Sequence, residues 1–247
     1  MDEKCGGRWS IDGQRPFRLY GDVGSPLEVS VSDTGMDEVV VDDVAKVMAE
    51  TTARKLMLSL DGGLDDPTMD LATVFGNDQR VEIEVGIGKG RFLLDSAWTH
   101  QDVNYIGIEV AAKYLRLAHD RADRRGLENL RFVHGDAHEF IEFFIPTASI
   151  HAFHIYFPDP WPKKRHHKRR LVVGGFVEQV LRVLVPGGRV WLKTDHADYF
   201  ESMLEALGPF ADRLIPVEAA WTGAPTNFEI KYVTDGRPIH RRVLEKV

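Results

Sequence analysis

A chain of 247 residues with 43% apolar and 28% charged side chains can bury one full α/β core, and this composition excludes the disordered and fibrous classes. Cys5 is the only cysteine, which excludes a disulfide framework and a cysteine-based metal site, so no metal is expected and a reducing cytoplasm is the natural compartment. The net charge of −7 is uneven: residues 1–70 hold 15 Asp/Glu against 7 Lys/Arg, so the remainder is close to neutral and its cations cluster locally.

Residues 1–66 mix Gly, Asp, Ser and Thr around one helical-looking piece, Val39 to Leu60, and read as an acidic N-terminal arm. Asp61 to Pro67 is a turn cluster. From residue 67 the chain reads as one domain in which strands and helices alternate: strand 81–85, helix 89–99, strand 104–109, helix 111–125 closed by Gly126, strand 130–133, and helix 137–145. Strand 150–157, helix 174–184 stopped by Pro186-Gly187-Gly188, strand 189–194 and helix 197–207 follow. Leu214 to Ala220 and Ile239 to Leu244 are strand-like, separated by a polar stretch around Thr226. This alternation predicts an α/β fold with a doubly wound, mostly parallel sheet. No apolar run is long enough for a bilayer, and the acidic, glycine-containing N-terminus is unlike a signal peptide.

The motifs sit at predicted strand ends. Val81 to Val85 (VEIEV) runs into Gly86-Ile87-Gly88-Lys89-Gly90, a strand–glycine turn–helix arrangement that lets backbone N–H groups approach a ligand. Arg91 stands where a dinucleotide fingerprint has its third glycine, and Glu84 lies just before the loop. That carboxylate repels phosphate and suits a cationic ligand. Glu109 ends the next strand at the spacing of a ribose-binding acid, and Asp136-Ala137 follows the third. Singly, each acid also fits a helix cap or a turn; three in register at the ligand-binding edge point to a site.

Residues 157–171, FPDPWPKKRHHKRRL, carry the strongest signal. Three prolines stiffen an extended platform that holds Asp159 beside Trp161. Lys163, Lys164, Arg165, His166, His167, Lys168, Arg169 and Arg170 follow at once. A clamped carboxylate, an indole and a cation block suit a base held near phosphates, although a solvated basic surface fits the same residues. A second set of arginines, Arg116, Arg121, Arg124 and Arg125, reads as the solvated face of a helix.

In this order, EVGIGKGRFL, GIEV, GDA, FPDPWPKKRHHKRRL, LKTD and TNFE resemble the tRNA (guanine-N7)-methyltransferase family, within the class I S-adenosylmethionine-dependent methyltransferases, over residues 70–247. The resemblance implies a Rossmann-like sheet with an antiparallel C-terminal edge hairpin, and methyl transfer from S-adenosylmethionine to N7 of guanosine at position 46 of the tRNA variable loop. It implies cofactor contacts from Glu84, Gly86, Gly88, Glu109, Asp136, Ala137 and Asp159, with Asp159 as the catalytic carboxylate. It implies tRNA contacts from Lys163, from the segment Arg165, His166, His167, Lys168, Arg169 and Arg170, from Asp195, and from Thr226, Asn227, Phe228 and Glu229. Asn227 stands where family members often carry lysine. Read without the family, Asp195 is also a helix cap and Thr226 a loop turn. Methylation of another RNA or of a small heterocycle, and a non-catalytic RNA-binding protein on this fold, remain as alternatives. Monomer and homodimer both fit.

Overall fold

The computed structural model describes residues 68–221 and 223–247; the arm, its expected helix Val39 to Leu60 and the turn cluster ending at Pro67 lie outside the described residues. In chain order the elements are α1 (Leu71–Phe75), β1 (Arg80–Val85), α2 (Arg91–Thr99), β2 (Val103–Glu109), α3 (Ala112–Arg124), β3 (Leu130–His134), α4 (Ala137–Phe144) and β4 (Ile150–Tyr156). After a 3₁₀ turn (Lys164–Arg169) come α5 (Gly174–Val183), β5 (Leu184–Thr194), α6 (Ala197–Leu207), β6 (Leu214–Pro216), α7 (Asn227–Thr234) and β7 (His240–Lys246).

The seven strands form one sheet in the order β3-β2-β1-β4-β5-β7-β6. The first five are parallel, and β7 pairs antiparallel with both β5 and β6, giving the expected C-terminal edge. Successive connections run outward from β1 in one direction and from β4 in the other. The carboxyl ends of β1 and β4 therefore flank the point where strand order reverses, which is where open α/β sheets bind ligands.

Strand alternation sorts the residues onto two faces. Val81, Ile83 and Val85 of β1 join Ile106, Ile108, Phe153 and Ile155 in a core covered by α4, α5 and α6. The opposite face is packed by α2 and α3 over β2 and β3, where Leu93, Leu94, Leu115 and Ala118 meet Tyr105 and Phe132. Gly107 makes that packing close: a Cβ there would stand 2.3 Å from Leu93 Cδ2. Farther along the same face the cover is aromatic, with Phe92, Tyr156 and Trp191 packed beneath Trp221. No helix among the described residues is long and apolar enough to cross a membrane.

Four elements differ from the sequence expectation. The strand expected over 214–220 ends at Pro216, because the chain then lifts to place Ala219 and Trp221 on the aromatic cluster. The polar stretch after Thr226 is helical: the Thr226 hydroxyl accepts from the Glu229 N–H (3.0 Å), starting α7. Pro186-Gly187-Gly188 does not separate helix from strand but lies inside β5 as an irregularity between the pairs Ile150↔Leu184 and Ala152↔Arg189. Asp70 also caps a short helix that no sequence signal announced, accepting from the Ala72 N–H at 3.1 Å.

Candidate active site

The central strand β1 places Glu82 and Glu84 on the face covered by α2. In a sheet covered on both sides such positions are interior, so each acid needs compensation. Glu82 has it: Oε2 lies 2.9 Å from His154 Nε2, and His154 Nδ1 lies 2.9 Å from the Tyr156 hydroxyl. Although burial opposes it, the His154 contact holds the Glu82 carboxyl below its ordinary value.

Glu84 lacks such a partner. It is 3% exposed, and its Oε2 is buried with no hydrogen-bond partner among the described residues. Burial, then the charge of Glu109, push its carboxyl well above the usual range, opposed only by the Leu93 N–H in the first turn of α2. A buried acid in this state is a socket for a cation. The loop beside it is bare: Gly86 and Gly88 adopt φ 74° and 53°, and a Cβ at either would meet nothing within 4 Å. Side chains would fill that space and strain the turn.

Glu109 ties this loop to β2, accepting from the Gly88 N–H (2.8 Å) and the Ala111 N–H (2.9 Å). The Gly135 N–H in turn donates to the Glu109 carbonyl, bringing the β3 end alongside. Asp136 caps α4, accepting from the His138 and Glu139 N–H groups, and Ala137 is buried at its first turn. Glu84, the Gly86–Gly88 loop, Glu109 and Asp136 thus share one sheet edge, with Asp136 committed to a cap.

Across the reversal point, β4 ends in Phe157 and the Pro158-Asp159-Pro160 platform. Phe157 and Trp161 have φ of 52° and 43°, conformations that cost a bulky residue about 1–3 kcal/mol each. Two contacts hold them there. The Phe157 N–H donates to the Lys193 carbonyl (2.7 Å). Arg170, 5% exposed, donates to the Pro160 carbonyl (2.9 Å) and to Asp198 (3.0 Å). Asp159 itself is exposed at the tip.

The cation run is therefore divided. Lys163, Lys164, Arg165, Lys168 and Arg169 are exposed, whereas Arg170 is an internal fastener. Arg169 places its guanidinium 4.9 Å from the Trp161 ring centroid, and His166 meets the same ring edge-on. His166 and His167 are half-buried. Asp195, just past β5, accepts from Arg237 (2.8 Å).

The Thr226–Glu229 segment splits likewise. Thr226 caps α7 and Asn227 and Phe228 are exposed, but Glu229 is buried and accepts from Lys193 Nζ (2.8 Å) and Arg241 (3.2 Å). Burial pulls the Lys193 ammonium down, and Glu229 only partly restores it. Lys193 also lies 4.9 Å from the Tyr156 ring and 4.7 Å from Trp221. Burial, followed by Glu84 and Glu229, drives the Tyr156 phenol well above its usual value. The Glu82–His154–Tyr156 chain, the Lys193 box and Arg237 had no role in the sequence reading. Only the Tyr156↔Lys193 register, placing them on the Glu84 face, exposes the link.

A family profile described as "Putative methyltransferase" matches residues 78–242. The tRNA (guanine-N(7)-)-methyltransferase of Alkalilimnicola ehrlichii is 42% identical over 149 residues, covering 59% of this chain and 63% of that protein. Its counterpart in Geobacillus kaustophilus is 35% identical over 174 residues, covering 68% and 80%. Against several such relatives, Alkalilimnicola's included, the chain spans less than two thirds of the relative's length. Among solved structures, TrmN from Thermus thermophilus aligns with TM-score 0.51 at 23% identity, covering 68% of this chain and 44% of that one. The aminoglycoside resistance methyltransferase NpmB1 aligns with TM-score 0.50 at 19% identity, covering 72% and 92%. At these identities the structures establish the fold alone.

Glu84 generates a pH prediction. Its folded pKa is raised above the ordinary 4.5, so the folded state retains a proton that the unfolded state releases. Stability is full below about pH 4.5 and declines as pH rises toward the folded value. Urea unfolding of wild type and Glu84→Gln at pH 5 and pH 8 is expected to show the variant gaining on wild type at the higher pH. A gap independent of pH would contradict the account.

Proposed function

The chain belongs to the methyltransferase family whose profile spans residues 78–242, and on that premise we propose that it methylates N7 of guanosine in tRNA, using S-adenosylmethionine. The observation that carries this reading is the buried Glu84 carboxyl, whose Oε2 has no hydrogen-bond partner among the described residues, at the end of the strand that runs into a bare glycine turn, across the strand-order reversal from Asp159. The printed names of the relatives supply the substrate, and the exposed cations beside Asp159 suit an RNA backbone.

The residues fit the cofactor. When bound, S-adenosylmethionine supplies an electrophilic methyl group on a sulfonium centre. Glu84 offers an anion to the cationic methionine portion, and the backbone at Gly86 and Gly88 permits close approach. Glu109, whose oxygens each accept one backbone N–H, uses its remaining lone pairs to accept from ribose hydroxyls, as strand-end acids do in doubly wound folds. Asp136 and Ala137 line the adjacent edge.

Guanine N7 has an in-plane lone pair and no proton, so no general base is required. The chain's task is to bring the base in line and to stabilise positive charge as it moves to the purine. Asp159, held rigid by its prolines and by Arg170, carries that charge-stabilising role and orients the base. Lys163, Arg165, Lys168 and Arg169 hold phosphates, with His166 and His167 between them. Asp195 and the Thr226–Glu229 helix start shape the nucleotide pocket, in which the base is received unstacked. Such a protein acts in the cytoplasm.

Asp159→Ala is expected to lower kcat for methyl transfer to tRNA by about 100-fold or more with tRNA binding retained, as filter binding and single-turnover transfer would record. A variant with near wild-type kcat would remove Asp159 from the site. Replacing Lys163, Arg165 and Lys168 together with Ala is expected to weaken tRNA binding and reduce the slope of log K against log salt by about 2–3. An unchanged slope would make the run an ordinary solvated surface.

A further inference from the structure

Arg237 stands on the loop between α7 and β7 and has no part in the motifs above. Its guanidinium is half-exposed, at 52%, and donates through one terminal nitrogen to Asp195 Oδ2, at 2.8 Å, while Asp195 is only 15% exposed. One face is covered by the Tyr232 ring, whose centroid is 4.8 Å away. Tyr232 packs against Phe157 (5.5 Å) and lies nearly parallel to Phe228 (5.8 Å, 23°), forming an aromatic ledge that ends in the half-exposed Phe228. Phe157 lies two residues before Asp159, so its contact with Tyr232 sets the pair beside the proline platform. Among the described residues the guanidinium has no other hydrogen-bond partner, so the rest of its rigid fork of donors faces outward.

An enzyme that alkylates N7 cannot read guanine as DNA-binding arginines do, because a bidentate contact to O6 and N7 would cover the atom that must react. Recognition falls to the Watson–Crick edge, where guanine presents two donors, N1–H and the 2-amino group, beside one acceptor, O6. A carboxylate accepts from the two donors, and a guanidinium fixed beside it donates to O6. We propose that Arg237, locked in orientation by Asp195 and Tyr232, is a specificity-determining residue that donates to guanine O6 while Asp195 accepts from N1–H and the 2-amino group, leaving N7 open. Adenine, with a donor where guanine has O6 and an acceptor at N1, meets like groups on both sides and is rejected. Lysine replaces the fork only in part, since a rotating point charge can donate to O6 but does not hold one plane.

This inference rests on guanosine methylation as the activity, and its test separates the two. Methyl transfer is measured on tRNA carrying guanosine, then 6-thioguanosine, at the methylated position, with wild type, Arg237→Met and Arg237→Lys. Cofactor binding and the unfolding midpoint are recorded for each protein. Thio substitution weakens the acceptor at position 6; its effects on atom size and on N1–H acidity are common to all three proteins, so the difference between their penalties reports the contact. It is expected to lower kcat/KM of wild type roughly 10-fold, while changing Arg237→Met less than about 2-fold, because the contact is already absent there. Arg237→Lys should fall between and retain cofactor binding, which keeps the result readable if the Met variant is unstable. Equal thio penalties in wild type and variants would overturn the assignment. No methylation of guanosine by wild type would overturn the activity itself, and this inference with it.

Discussion

An acid buried on the central strand, with one oxygen unpartnered among the described residues, is the constraint around which the carboxyl edge of this sheet is arranged. β1 carries two acids on one face; Glu84 is buried there, while Glu82 keeps 16% of its side chain exposed. Glu82 is met by His154, which hands the contact on to Tyr156. Among the described residues, Glu84 receives only a backbone N–H from the start of α2. Gly107 lets α2 approach closely enough to bring that helix start onto β1. Glu84 is thus an unfavourable buried group, and the neighbouring turn at Gly86 and Gly88 is built of residues that occupy no side-chain space.

The segment across the strand-order reversal is rigid for a different reason. Lys193 and Glu229 form a buried pair, each 9% exposed, that joins β5 to α7, with Arg241 of β7 on the second oxygen. Removing one partner of such a pair costs about 3–5 kcal/mol, which makes α7 a fixed element and not a loose flap. Its position sets the aromatic ledge, and with it Arg237. Arg170 does the same for the proline platform, and the strain at Phe157 and Trp161 persists because both ends are tied down. Asp159 is therefore an exposed carboxylate on a rigid mount, a condition for stabilising charge without reorganisation.

The alternating VEIEV pattern, the glycine run and the acids at successive strand ends made the sheet and the position of those acids at its carboxyl edge legible, because these are local patterns with a fixed structural meaning. The internal division of the cation run was not legible. Nothing in KKRHHKRR distinguishes Arg170, which turns inward to Pro160 and Asp198, from its exposed neighbours, since burial depends on what α6 brings to that position. The helix after Thr226 carried a readable start, Thr226 with Glu229 three residues later, masked by the polar residues around it. The Asp195–Arg237 contact spans 42 residues and crosses from β5 to the final loop, so only the antiparallel placement of β7 reveals it.

The most direct test gives the purified full chain labelled S-adenosylmethionine and unmodified tRNA transcripts, then cleaves the RNA chemically at N7-methylguanosine. A single cleavage in the variable loop is the predicted result, establishing the base atom and the site in one experiment. Label at another atom or in no tRNA, with the cofactor shown to bind, would contradict the account.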